Sequence, residues 1–214
     1  MSVKVALLGP PRVKRDGEPV RFDTRKALAL LAHLALAEAP RSRDSLCGLL
    51  WPRHDPDRAR GALRRTLSTL RGAIGEEWVE TPGDAIALRT GPELDLDVAR
   101  FRARAADGST IEELNEAAAL FAGDFLEGFA LRDSPEFDHW QMGEADGLRR
   151  ELSSALRRLV ELHAERGEHE RALRFAERWV EIEPLHEPAH RELIRLYALT
   201  GDRGAALAQY RQCV

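Results

Sequence analysis

The sequence predicts two fold classes in tandem, an α+β unit over residues 1–97 followed by an all-α unit over residues 98–214. Three observations lead there. In the first hundred residues short strand-like runs alternate with capped helical segments. From Asp97 onward helical periodicity of the apolar residues is almost unbroken. The charge divides at the same place: residues 1–100 carry 17 Lys and Arg against 14 Asp and Glu, and the remainder 15 against 22. A chain of 214 residues has room for two modest domains.

Residues 3–8 form a mostly apolar run that Gly9-Pro10-Pro11 ends. Residues 12–14 and 19–22 flank Asp16-Gly17, a dipeptide suited to a tight hairpin turn. Thr24 can cap a helix through residue 37, with Leu28, Leu31, Leu34 and Ala35 on one face and Pro40 beyond its end. Ser42 caps a second short helix over 43–50, stopped by Trp51-Pro52. Asp55 as N-cap and Pro56 at the first helical position open a third, which runs to Ile74 before Gly75. The period then changes. Residues 78–81 and 85–89 alternate about Pro82-Gly83-Asp84 and read as a second hairpin. A short Leu94-Asp95-Leu96 segment precedes helices over 98–106, 111–121, 136–166, 168–182, 187–199 and 203–213. Strands, three helices and a closing hairpin are the order of a winged helix-turn-helix with an N-terminal sheet.

The second half repeats itself. A shift of 34 places Leu159 on Leu193, Leu162 on Leu196, His163 on Tyr197, Gly167 on Gly201, Ala172 on Ala206 and Leu173 on Leu207. Gly permits the inter-helix turn and Ala lets two helices approach, so this half is expected to be tetratricopeptide-like.

The third helix has the composition of a surface that meets DNA. Residues 12–71 carry 14 basic side chains against 7 acidic, a net of +7. At about 100° per residue, Leu63, Leu67, Leu70 and Ile74 form one narrow core stripe. Arg58, Gly61, Arg65, Ser68, Thr69 and Gly72 lie opposite it, with Arg64 and Arg71 on one flank. No acidic residue occurs between Arg58 and Gly75. A solvated helix usually mixes Glu with its Arg to gain i,i+4 pairs. Arg pairs bidentately with guanine, whereas Ser and Thr commonly hold phosphates. Arg58 and Arg65 are therefore expected to face bases, and Arg64, Ser68, Thr69 and Arg71 to position the helix. The competing expectation is that some of these arginines pair with Asp55, Asp57 or Glu76.

Leu50-Trp51-Pro52, the run from Asp55 to Arg60 and the run from Leu63 to Arg71 together resemble the Streptomyces antibiotic regulatory protein family. In the second half Gly123-Asp124-Phe125-Leu126, Trp140, the run from Glu183 to Glu187 and the run from Ala206 to Tyr210 resemble the bacterial transcriptional activator domain that accompanies its OmpR-type winged helix. The resemblance implies an activator that binds direct repeats in double-stranded promoter DNA, often beside a second copy of itself, and recruits RNA polymerase holoenzyme. Carried over residue by residue, it places Arg58, Arg64, Arg65, Ser68, Thr69 and Arg71 on the recognition helix and Thr81, Gly83 and Arg89 on the wing. The chain departs from the family in two places. Gly83, Asp84, Ala85 and Ile86 stand where the wing often has Gly-Gly-Tyr. The sequence also stops at Gln212-Cys213-Val214, where the family continues, so a longer parent protein is expected.

Other chemistries lack support. The His186-Glu187-Pro188-Ala189-His190 run has the letters of a zinc-protease motif, but Pro188 breaks the continuous helix that would set both imidazoles on one face. There is no phosphate loop and no nucleophile elbow. Neither an enzyme, a cofactor nor a metal site is expected. Cys47 and Cys213 do not make a disulfide framework, and Cys47 reads as a buried thiol. With no signal peptide and no apolar run able to span a bilayer, a cytoplasmic protein without membrane contact is expected. A second reading stays open. The repeats could form a protein-interaction scaffold beside a winged helix that does not bind DNA, which the acidic second half and Asp84 in the wing would suit.

Overall fold

The computed structural model describes residues 2–213. Two compact units divide the chain, and they interleave in sequence. The first is Met1–Arg100 with Ala122–Ala145, and the second is Phe101–Phe121 with Asp146–Val214. Residues 122–145, well past the division at 97 read from sequence, thus fold with the first unit.

In the first unit β1 (Val3–Ala6), β2 (Arg12–Arg15) and β3 (Glu18–Pro19) precede α1 (Arg25–Ala35). The two-residue β4 (Arg41–Ser42) leads into α2 (Arg43–Leu50) and α3 (Pro56–Ile74). A 3-10 turn, Glu76–Trp78, then leads to β5 (Val79–Glu80), β6 (Ala85–Leu88) and β7 (Leu94–Leu96). The first sheet has the order β3-β2-β1-β7 and the second β4-β6-β5. The turn between β2 and β3 has Asp16 at φ 50° and Gly17 at φ 89°, the left-handed pair that Asp-Gly supplies at low cost. β1 runs antiparallel to β2, with Val5 opposite Val13, and parallel to β7, with Val5 opposite Leu96.

The caps read from sequence are present. Thr24, Ser42 and Asp55 each accept a backbone N–H from the first turn of the helix they open. α1 differs in its buried face. Leu28 and Ala35 are only half-buried, whereas Ala27, Ala29, Leu30, Leu31, Ala32 and Leu34 are fully buried. The helix is covered on several sides, by α2, α3, β6 and the Trp140 ring, so a single apolar stripe does not describe it. Cys47 is buried, and burial pushes its thiol pKa up.

Residues 122–134 add a backbone layer to this unit. Leu8 and Phe125 form an antiparallel bridge, and Leu126 donates its N–H to Leu7 O at 2.8 Å. Gly123 sits so close to Gly9 that a Cβ on it would lie 3.2 Å from the Gly9 Cα. Asp97 closes the same corner, accepting from the N–H groups of Leu7 (2.7 Å), Leu8 (2.9 Å) and Val98 (2.8 Å). Burial raises its carboxyl pKa, and those three donors oppose the rise.

Beyond the sheets the elements are helices: α4 (Asp97–Ala105), α5 (Ile111–Leu120), α6 (Pro135–Glu165), α7 (His169–Ile182), α8 (Glu187–Leu199) and α9 (Arg203–Cys213). The α+β character of the first part and the helical character of the second agree with the classes expected. Both 34-spaced turns close in the same way. Glu168 N–H reaches His163 O at 2.9 Å and Gly167 N–H reaches Ala164 O at 3.0 Å. Asp202 N–H reaches Tyr197 O at 2.9 Å and Gly201 N–H reaches Ala198 O at 3.3 Å. These are paired Schellman bonds, with the two glycines at φ 71° and 88°. Val160, Ala172, Ala176, Leu193 and Leu196 form one buried cluster. Ala206 and Leu207 are less covered than their counterparts Ala172 and Leu173, and Leu207 is 58% exposed. Among the described residues α9 packs chiefly on α8.

Candidate nucleic-acid interface

α3 sorts its side chains as its sequence requires. Leu63, Leu67, Leu70 and Ile74 are buried, and Ala59, Ala62 and Thr66 widen the stripe. Arg58, Arg64, Arg65 and Ser68 are exposed, with Gly61 and Gly72 between their flanks. Asp55 caps the helix, accepting Arg58 N–H at 3.0 Å. No carboxylate among the described residues lies within ion-pair distance of Arg58, Arg64 or Arg65.

Thr69 and Arg71 are half-buried. Arg71 Nη2 donates to Val79 O at 3.4 Å, which ties the C-terminal part of α3 to the hairpin. Arg15 Nη1 donates to Gly72 O at 3.3 Å, which ties β2 to α3. Thr81, Gly83 and Arg89 are all exposed on the β5–β6 hairpin, with Gly83 at φ 59° in the turn. Ala85 N–H donates to Pro82 O at 3.0 Å and Arg89 N–H to Trp78 O at 2.9 Å, fixing the register.

Sequence reasoning missed two charge pairs. Arg60, on the Arg64 flank, lies beside Asp44, with Nη2 at 2.9 Å and Nε at 3.1 Å from Oδ1. That hydrogen bond raises the guanidinium pKa above its ordinary value. Arg43 lies 3.5 Å from Asp84 in the hairpin turn. Both pairs join residues far apart in sequence, so no local pattern announces them. They leave Arg58, Arg64 and Arg65 as exposed arginines of α3 without a carboxylate partner among the described residues. Elsewhere His190, the second histidine of the broken zinc-like motif, has both ring nitrogens engaged. Nε2 is 2.8 Å from Pro184 O and Nδ1 is 2.6 Å from Gln209 Nε2. No described helix is long and apolar enough to cross a membrane.

The sequence model of the bacterial transcriptional activator domain matches residues 93–214, more than half of the chain. The chain belongs to the bacterial transcriptional activator domain family. The resemblance to the Streptomyces antibiotic regulatory proteins holds as well. The transcriptional regulatory protein EmbR of Mycobacterium tuberculosis is 29% identical over 228 residues, covering 96% of this chain. The regulatory protein AfsR of Streptomyces coelicolor is 24% identical over 224 residues, covering 98%. The chain spans 56% of the EmbR sequence and 22% of AfsR. A structure of Mycobacterium tuberculosis EmbR in complex with a low affinity phosphopeptide superposes with a TM-score of 0.76. Identity there is 24%, over 99% of this chain and 58% of that one. The fold is therefore shared with a regulator of transcription. Motifs distributed from Leu50 to Tyr210 had pointed to the same family.

Proposed function

We propose that this chain is a sequence-specific transcriptional activator that binds double-stranded promoter DNA, with α3 lying in the major groove. On this reading residues 1–97 act as an OmpR-type winged helix with β5–β6 as its wing. Residues 98–214 act as the activator domain, with tetratricopeptide-like hairpins, and engage RNA polymerase holoenzyme. Two copies sit side by side on direct repeats. The observation that carries the reading is the face of α3 on which Arg58, Arg64, Arg65 and Ser68 are exposed and the guanidinium groups have no carboxylate partner among the described residues.

Each residue has a role that follows from its chemistry. Arg58 and Arg65 reach base edges, where a bidentate guanidinium discriminates guanine. Arg64, Ser68 and Thr69 hold backbone phosphates. Arg71 is braced against the wing by its bond to Val79 O and offers its remaining N–H groups to phosphate. Thr81, Gly83 and Arg89 follow the backbone from the wing.

The test begins with a duplex selected from a random pool by the wild-type chain. Arg65→Ala is expected to cost about 1–3 kcal/mol on that duplex and to relax base preference at one position. Arg71→Ala is expected to weaken all sequences alike and to flatten the slope of log K against log salt by roughly 0.9. Gel shift and anisotropy titrations at several salt concentrations read both. Absence of any salt-sensitive complex with the wild-type chain would favour the scaffold reading.

A further inference from the structure

The basic surface of the first unit does not end at α3. On the Arg65 flank a groove of about 810 Å³ lies between α3, the start of α1 and residues 130–133. The far wall is firmly held. Arg25 Nε donates to Ala130 O at 3.0 Å, and the fully buried Ser134 hydroxyl donates to Leu50 O at 2.8 Å. Lys26 Nζ lies 2.7 Å from Asp133 Oδ2 and 5.1 Å above the Trp51 ring.

Four cations surround this groove: Arg25, Lys26, Arg65 and Arg132. Asp133 neutralises Lys26. No carboxylate among the described residues pairs with Arg25, Arg65 or Arg132. Thr66 is 6% exposed and lines the groove. A concave site with three guanidinium groups that no described carboxylate neutralises suits a phosphate, whose oxygens accept several such donors at once. The groove is continuous with the reading face, because Arg65 and Thr69 belong to both.

We propose that this groove takes a backbone phosphate of the duplex that α3 reads, held by Arg132 from the 130–133 segment and by Arg25 from α1. The proposal rests on the DNA-binding reading of α3. It adds that a segment inside the activator-domain match contributes directly to DNA affinity. Asp133 tempers the site by engaging Lys26, which would otherwise add a further positive charge.

The test is fluorescence anisotropy of the full chain with a labelled random-sequence duplex of about 30 base pairs, titrated across KCl concentrations. A lost phosphate contact lowers the slope of log K against log salt by about 0.9. Arg132→Ala is expected to flatten the slope by that amount. Asp133→Asn, which releases Lys26, is expected to steepen it, a gain that misfolding does not produce. A wild-type slope for Arg132→Ala, with a flattened one for Arg64→Ala, overturns the groove and leaves the reading helix standing. No salt-dependent complex with the wild-type chain overturns both.

Discussion

His33 carries an unusual burden for a single side chain. It lies on α1 among leucines and alanines, is 8% exposed, and packs edge-on to Trp140 with ring centroids 4.7 Å apart. Its Nδ1 has no hydrogen-bond partner among the described residues. Burial, reinforced by the positive charge of Arg41, pushes its pKa down to about 4 from 6.5. Between those two values the unfolded chain binds a proton that the native chain does not. The contribution of His33 to stability is therefore fully present above pH 6.5 and is lost as pH falls from 6.5 toward 4. One pKa unit corresponds to about 1.4 kcal/mol, so by pH 5 the loss approaches about 2 kcal/mol. Urea titrations of wild type and His33→Gln at pH 7.5 and pH 5 isolate the effect from other titrating groups. The wild type should lose that much more than the variant. Equal losses would mean that the imidazole is solvated on folding.

At the scale of elements, the strongest local signals were the caps. Ser42, Asp55, Pro56 and Pro188 set the starts of α2, α3 and α8 because each acts within its own first turn. The 34-residue period rests on the same kind of local device, a glycine in the left-handed region closing a Schellman pair. Gly167→Ala and Gly201→Ala should each destabilise by about 1–2 kcal/mol, the cost of a left-handed alanine. Gly143→Ala, in the interior of α6 with nothing within 4 Å of its Cβ, should stabilise by about 1 kcal/mol. Denaturant midpoints with unchanged m-values would verify the opposite signs. What local signals did not reveal is long-range. The two-residue β4 exists because β6 pairs with it, and β1 meets β7 in parallel after some ninety intervening residues. Phe125 finds Leu8 through a segment with no period of its own, where Leu126 adopts φ 54°. The candidate site divides in the same way. The acid-free arginine face of α3 was legible from spacing alone. The neutralisation of Arg60 by Asp44 and of Lys26 by Asp133, and the wall that Arg132 brings to the groove, depend on tertiary placement.

At the scale of the whole chain, the interleaving of the two units decides what can be cut away. Phe125, Leu126, Phe129, Leu131 and Phe137 are buried and belong to the first unit, although they follow its sheets by at least 29 residues. They cover elements that precede residue 100: Phe125 bridges Leu8, Arg25 stacks on Phe129 at 4.7 Å, and Ser134 bonds Leu50 O. Burying a large apolar side chain contributes about 1.5–3 kcal/mol. Five of them amount to roughly the entire stability of a small domain, about 5–15 kcal/mol. A chain ending at residue 100 keeps every candidate DNA-contacting residue of α3 and the wing, yet loses that cover. It should bind the dye ANS, lose near-ultraviolet circular dichroism and show a broad thermal transition, whereas the 214-residue chain should melt cooperatively. Its DNA affinity should fall because α3 is no longer held on a fixed core, even though its net charge is more favourable. If the truncated chain instead melts cooperatively and binds duplex as tightly as the full chain, the layer formed by residues 122–145 is dispensable. The proposed phosphate site along residues 130–133 would then contribute nothing to affinity.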